Sequence, residues 1–318
     1  MIVNKNVAFK ALPLDEFTEI HLLPFFEPFL FNTNKHLPLQ KNSTIWVFWG
    51  EEKQKIKIRC NVFVQDNEGF SPWRMSFGGI EFDEKISYES LNNFVEFVCD
   101  FCKNELKLKK LLIKQYPFSY AEENSHQITQ ILLRQGFTII NQELTHYIRV
   151  QENFEANLHN SAKRRLAKAI QAGFIFEEWQ KPDWQEVFNF VAKARQRKNF
   201  PLTMTWQDFQ ETVNLFPDEY LALVVRKNQE IAALTVGVVV SSKIFYNFYP
   251  ADNPKFLQYS PMILLTQGLI QFCRKQHFEI LDLGISTENG KPNFGLIRFK
   301  KNLGAKSALK LSFEKQFN

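Results

Sequence analysis

Asp282 is a single carboxylate inside an apolar run, residues 280–283. The run has the length and composition of a short buried strand. An unpaired carboxylate is costly to bury, so Asp282 needs either a partner or a chemical task. As a task, it would orient an amine or take its proton as a general base. As a structural residue, it would pair with Arg298 or Lys300, and the sequence alone leaves both interpretations open.

A strand predicted over residues 243–249 is rich in aromatic residues, among them Tyr246, Phe248 and Tyr249. Successive side chains of a strand point to opposite faces, so one set of rings faces the core and the other faces a cleft. A ring in the cleft would contact the acceptor or the leaving group, the role predicted for Tyr246 and Tyr249. The alternative is an aromatic strand that is simply buried.

A long helix is predicted over residues 260–275, and it begins with a Ser-Pro pair that suits a helix start. The N–H groups and the dipole at a helix start attract anionic groups. We therefore expect an anionic group of a ligand to bind beside this start, near Tyr259 and Ser260.

Two basic groups precede these strands. The first comprises Lys163, Arg164, Arg165 and Lys168 on one predicted helix, and the second Arg195, Arg197 and Lys198. Such groups contact the phosphates of a nucleotide-linked substrate or a tRNA, or they form a solvated helix face. The predicted substrate-binding residues are Arg164, Arg197, Lys300 and Tyr246.

The elements that position these residues occur twice along the 318-residue chain. The first lobe reads β-β-β-α-β-α-β after a proline-containing segment with a helix, and the second repeats this order. Tyr88 stands fourteen residues before Cys102, as Tyr259 does before Cys273. This order predicts an α/β (α+β) fold with a mixed sheet, present in two tandem domains of residues 1–152 and 153–318.

Composition excludes several classes of protein. Four cysteines do not make a disulfide framework, and the C-x-x-C of Cys99 and Cys102 lacks the second pair that a metal site needs. The six histidines show no metal-ligand spacing, so no metal is predicted. We find neither a signal peptide nor an apolar run of about 20 residues, and we expect a cytoplasmic protein. A net charge of +5 suits an anionic small ligand and an RNA contact equally well.

The second lobe resembles the FemABX-like branch of the GNAT acyltransferase superfamily, whose members carry two such lobes. The matching segments are residues 161–169 with Gly173, 194–198, 246–251, 259–265, 281–284 and 298–304. In the first lobe, Ser71-Pro72 and residues 77–79 are also similar to that group. Simple GNAT enzymes carry a glycine-rich turn before the donor-binding helix, and residues 256–261 lack both glycines. The resemblance thus implies either acyl-CoA or aminoacyl-tRNA as the donor. It also implies that the activated donor lies between the strands that end near residues 249 and 284, and the predicted donor-binding residues are Tyr259, Ser260, Phe248 and Gly284.

The expected function is N-acyl or aminoacyl transfer to an amine acceptor in the cleft between the lobes, with Asp282 and Tyr249 as catalytic residues. The acceptor would be a small molecule or a cell-wall precursor, and a weak tRNA contact is expected. One alternative is an aminoacyl-tRNA-dependent peptidyltransferase that acts on a peptidoglycan precursor. The other is a non-catalytic binding module of the same fold.

Overall fold

The computed structural model describes residues 7–20, 22–41, 43–288 and 290–317. His21, one of the six histidines, lies outside these residues. The chain forms two compact units. The first unit comprises Met1–Glu143 and Ala308–Asn318, and the second unit comprises Leu144–Ser307.

Secondary structure follows the chain in this order. The elements as far as the unit boundary are β1 (Ala8–Pro13), α1 (Leu14–Glu19), the 3-10 turns Leu30–Asn32 and Leu37–Gln40, β2 (Thr44–Glu52), β3 (Lys55–Gln65), β4 (Glu68–Ser71), β5 (Ile80–Phe82), α2 (Tyr88–Asn104), β6 (Lys110–Lys114), α3 (Glu122–Arg134) and β7 (Thr138–Arg149). The remaining elements are α4 (Phe154–Asn157), α5 (Asn160–Gln171), β8 (Ile175–Glu178), α6 (Trp184–Arg197), α7 (Trp206–Leu215), β9 (Tyr220–Lys227), β10 (Glu230–Ser241), β11 (Ile244–Asn247), β12 (Ala251–Asp252), the 3-10 turn Pro254–Tyr259, α8 (Pro261–Lys275), β13 (Ile280–Ile285), β14 (Thr287–Glu288), β15 (Lys291–Pro292), α9 (Phe294–Asn302) and β16 (Lys306–Gln316).

The sheet of the first unit runs β1-β2-β3-β4-β6-β16, and β5 pairs with β3. The β4–β6 pair is parallel, whereas the other neighbours are antiparallel. One face of this sheet packs on α2, whose apolar side repeats at helical spacing and buries Leu91, Phe94, Val98 and Cys102. Ser87 caps α2 by accepting a hydrogen bond from the Ser90 N–H at 3.1 Å.

The second unit has a sheet of the order β7-β13-β11-β10-β9-β8. Here too one pair, β11–β13, is parallel, and its connection is α8. Helix α8 is apolar on most of its surface because it lies between the sheet and α5. Helix α5 contributes Ala162, Leu166 and Ala169 to the same core. The predicted α/β fold with a mixed sheet is therefore confirmed.

The structure differs from the predicted elements at both ends of the chain. Residues 8–13 form a strand that pairs with β2, where a helix and an irregular segment are predicted. The last strand, assigned from sequence to the second lobe, instead pairs with β6, and Leu311 and Phe313 enter the first unit's core. The sequence predicts one domain boundary, at residue 152. In the structure the C-terminal strand belongs to the first unit, so the chain crosses between the two units twice.

Candidate active site

The parallel strands β11 and β13 separate at their carboxyl ends. Their register runs from Ile244 opposite Ile280 to Tyr246 opposite Asp282. Beyond this point the N–H groups of Phe248 and Tyr249 both donate to the Val236 carbonyl at 3.1 Å, so the chain turns toward β10. We call the resulting opening the β11–β13 gap. Openings at the carboxyl ends of parallel strands are the usual ligand sites of such sheets.

Gly284 shapes the β13 side of this gap. Its φ of +73° is a left-handed conformation that favours glycine, and a Cβ there would lie 3.3 Å from Tyr246 Cε2. The Gly284 N–H donates to Asp282 Oδ1 at 2.6 Å. Asp282, which is only 3% exposed, therefore bonds back to its own strand where the register of β13 shifts. This contact is not apparent from the sequence.

Lys300 reaches β13 from the last turn of α9. Its Nζ donates to the carbonyl oxygens of Gly284 and Ile285, both at 2.8 Å, and the residue is 5% exposed. Burial lowers the pKa of Lys300 to about 7, although the nearby Asp282 carboxylate acts in the opposite direction. At neutral pH a substantial fraction of this amine is therefore unprotonated. A side chain that exchanges protons in catalysis needs such a pKa near the working pH.

His146 lies buried beside the same strand, on β7. Its Nδ1 is 2.9 Å from Ser286 Oγ, and the Ser286 N–H donates to the Leu144 carbonyl at 2.6 Å. Burial, followed by the charges of Lys300 and a neighbouring lysine, lowers the pKa of His146 to about 4, so the ring is neutral. Sequence analysis considers His146 only as a metal ligand and misses this contact, because no spacing signal links residues 146 and 286.

The predicted aromatic residues lie together beside the gap. Phe248 stacks on Tyr249 with ring centroids 4.0 Å apart, and Tyr246 lies 5.6 Å from Phe248. Tyr249 is 3% exposed, and its hydroxyl is 2.5 Å from Thr203 Oγ1. Burial raises the pKa of Tyr249, which keeps its hydroxyl protonated. Half-buried Tyr246 is the ring that faces Gly284.

Two lysines meet the ring of Tyr259, directly before α8. Lys168 of α5 donates to the Gln258 carbonyl at 3.0 Å, and its Nζ is 5.2 Å from the Tyr259 ring centroid. Lys227 Nζ lies 5.2 Å from the same centroid. The structure thus brings the predicted basic helix to the predicted donor site at Tyr259 and Ser260. Sequence analysis misses Lys227, whose only signal is its position at a strand end before the turn residue Asn228.

The second basic group is engaged within the chain. Arg197 forms an ion pair with the Asp252 carboxylate and donates to the Asp252 carbonyl, and Lys198 lies 2.9 Å from the same carboxylate. Arg195 donates twice to the Pro201 carbonyl, at 2.9 and 2.7 Å. These contacts fix the segment that carries Thr203. Arg164 is exposed on α5, one helical turn before Lys168.

The first unit has an equivalent parallel pair, but its strand ends are bridged. Beyond the β4–β6 register, the Gly78 N–H donates to the Lys114 carbonyl at 3.0 Å and the Gly79 N–H donates to Ser71 Oγ at 3.1 Å. A Cβ on Gly79 would lie 1.6 Å from Gln115 Oε1. Residues 78–80 therefore fill the position that corresponds to the β11–β13 gap.

Several solved structures share this fold. FemX aligns over 98% of this chain and 98% of its own, with a TM-score of 0.71 and 12% identity. L-PGS from Bacillus licheniformis aligns over 94% of this chain and 90% of its own, with a TM-score of 0.58 and 12% identity. A tandem GNAT protein from the clavulanic acid biosynthesis pathway aligns over 98% of this chain and 99% of its own, with a TM-score of 0.54 and 9% identity. The sequence matches no family model and no curated protein.

At these identities the likeness establishes the fold. The chain has the GNAT fold, as the resemblance predicts. Among the described residues, no group of three or more His, Cys, Asp or Glu side chains is placed to hold a metal ion. None of the helices within the described ranges is long and apolar enough to cross a membrane.

Proposed function

We propose that the chain is an N-acyltransferase whose reaction takes place in the β11–β13 gap of the second unit. The observation that carries this proposal is the separation of two parallel strands directly beside Lys300, a buried amine with a pKa of about 7. A neutral amine base next to an open strand edge meets two requirements of acyl transfer, proton removal and a bound acyl group. The bridged strand ends of the first unit support the second unit as the donor site.

The reaction forms a C–N bond. The acceptor amine attacks the acyl carbon, and the bond from that carbon to the sulfur of a thioester or the oxygen of an ester breaks. The amine proton passes to neutral Lys300, and the leaving sulfur or oxygen takes up a proton. We assign Asp282 a positioning role, because it holds the Gly284 N–H and its charge favours the protonated form of Lys300.

We further propose that Lys168 and Lys227 bind phosphate groups of the donor over Tyr259. Neither lysine forms an ion pair with another described residue, and each ammonium lies close enough to the same ring for a cation–π contact. A coenzyme A thioester and an aminoacyl-tRNA both present such phosphates. The acceptor would be an amine of a small molecule or of a cell-wall precursor.

The aminoacyl-tRNA reading is the second candidate. Its support is the turn before α8, in which Ser260 has a left-handed φ of 52° and glycines are missing, together with the fold shared with FemX and L-PGS. Lysines around a partly buried aromatic ring such as Tyr259 are also compatible with a single-stranded nucleic-acid site. A coenzyme A donor, by contrast, needs only the two phosphate contacts that Lys168 and Lys227 provide.

A transfer assay tests the proposal. The protein is mixed with radiolabelled acetyl-CoA, or with aminoacyl-tRNA from a charged total tRNA pool, and with a panel of amines that includes cell-wall precursors. We expect amide formation with one donor class, and a rate lower by roughly a hundredfold or more with K300M. If neither donor yields amide although one of them binds and raises the melting temperature, the chain is a binding module of this fold.

A further inference from the structure

Lys114 and Lys310 lie on the same face of the first unit's sheet. Lys114 ends β6 and is opposite Ser312 of β16, so Lys310 is its diagonal neighbour. The alternate residues of both strands, among them Ile113 and Leu311, point to the other face and fill the core. Two ammonium groups are thus held by rigid strands rather than by loops.

Lys310 is almost fully buried, with 8% of its side chain exposed. Its Nζ lies 2.6 Å from Glu143 Oε2 and donates to the Ser76 carbonyl at 3.1 Å. The contact with Glu143 is an ion pair rather than a well-directed hydrogen bond, because this oxygen has no hydrogen-bond partner of good geometry in the described residues. The Glu143 charge is therefore already used by Lys310.

Lys114 is the second cation of the group, and it is half-buried. Its backbone carbonyl accepts the Gly78 N–H at 3.0 Å, whereas its Nζ makes no hydrogen bond or ion pair to any of the residues that the structure describes. Burial, with the charge of Lys310, lowers the pKa of Lys114, and Glu143 acts in the opposite direction. Two partly desolvated ammonium groups thus share one carboxylate.

This arrangement is unfavourable for the protein alone. Removing an ammonium from water costs free energy unless an opposite charge or hydrogen bonds replace the lost hydration. Lys310 has such partners and Lys114 does not, although both are fixed on neighbouring strands. An oxyanion beside Lys114 would supply the missing charge and acceptor atoms, and the partial exposure of Lys114 leaves it a path of entry.

We propose that Lys114 and Lys310 form an anion-binding site of the first unit, which takes a carboxylate or phosphate group of a small molecule. Lys114 is the residue that contacts the anion, and Lys310, held by Glu143 and Ser76, supplies a second positive charge. The site is separate from the β11–β13 gap, which belongs to the other unit. Its existence does not depend on acyl transfer.

Thermal unfolding in added anions tests this site. Sodium phosphate and sodium acetate are titrated against sodium chloride at matched ionic strength, with wild type, K114M and K110M. Lys110 is the matched control because it lies on the same strand and face but is paired with Glu68 at 3.1 Å. We expect phosphate to raise the Tm of wild type and K110M. The phosphate concentration that gives half of this rise should be at least tenfold lower in these two proteins than in K114M.

The general salting effect of phosphate stabilises all three proteins alike, so only the difference between K110M and K114M counts. Without added anion, we expect K114M to melt at or above the wild-type temperature, since it removes a poorly compensated charge. If only phosphate raises the Tm through Lys114, the site binds a phosphate group. If acetate also raises it, the site also accepts a carboxylate. An equal response of K114M and K110M, or no difference from chloride in wild type, would overturn the proposal.

Discussion

Lys300 donates from its Nζ to the carbonyl oxygen of Gly284, at 2.8 Å, at the point where β13 parts from β11. The same glycine donates its N–H to Asp282 Oδ1, so one residue of the strand bonds to both ionisable side chains. These two contacts hold the backbone of Gly284 in place. The proposed base is also a structural contact of β13, so its removal should affect both activity and stability.

Replacing Lys300 by Met should remove most activity and change the pH dependence of stability. Loss of a general base typically reduces the rate by roughly a hundredfold or more. The pKa of Lys300 falls from its ordinary 10.5 to about 7 on folding, so the unfolded chain binds more protons between these values. The wild type should therefore gain stability over K300M as pH rises from 7 to 10.5.

Urea unfolding at pH 6.5, 8.5 and 10 measures this difference. The wild type should gain a few kcal/mol relative to K300M across the series. A constant difference would show that Lys300 has an ordinary pKa in the folded protein, and an active K300M would exclude it as the base.

Asp282→Asn should separate the charge of Asp282 from its hydrogen bond. The Asn oxygen can still accept the Gly284 N–H, so the melting temperature should change little. The lost negative charge no longer favours protonated Lys300, and the rising limb of the pH–rate profile should therefore move to lower pH. D282A, which leaves the N–H unpaired, should cost about 1–3 kcal/mol. A D282N enzyme with an unmoved profile and a large loss of rate would instead make Asp282 the base.

Gly284→Ala should distort the gap. A left-handed φ costs a non-glycine residue about 1–2 kcal/mol, and the new methyl would press on Tyr246. We expect lower stability and a higher KM for the donor. Gly295→Ala is the control, because that glycine is in α9 and, among the residues that the structure describes, its Cβ would meet only Asn293 Oδ1, at 3.5 Å. Equal effects of G284A and G295A would argue against a special conformation at Gly284.

Lys168→Gln and Lys227→Gln should each raise the KM of a phosphate-bearing donor by roughly tenfold to a hundredfold, since each removes one charge-assisted contact worth about 1.5–3 kcal/mol. Their kcat should stay near the wild-type value. A donor without phosphates, such as the thioester of N-acetylcysteamine, should not respond to either change. Lys163→Gln is the control, on the same helix. A steep fall of donor affinity with salt would point to tRNA, and a shallow one to coenzyme A.

The sequence predicts the fold better than the site. Helix α8 and the strand of Asp282 are evident because a long apolar segment after Ser-Pro fits a helix and a short apolar run fits a buried strand. The contact of Asp282 with Gly284 is not, because it depends on a local shift in strand register. The pairing of β16 with β6 is also missed, since periodicity shows a strand but never its partner. Lys227 and His146 join the site only through tertiary packing, and no local pattern marks them.

Hydrogen–deuterium exchange with and without donor tests the central claim most directly. The protein is labelled in the presence of acetyl-CoA, of desulfo-CoA, and of a non-hydrolysable aminoacyl-tRNA analogue. A donor that binds in the β11–β13 gap should slow exchange in peptides that cover residues 246–249 and 282–286, and in the peptide of Tyr259. Protection confined to the first unit, with no change in these peptides for a donor that demonstrably binds, would contradict the account.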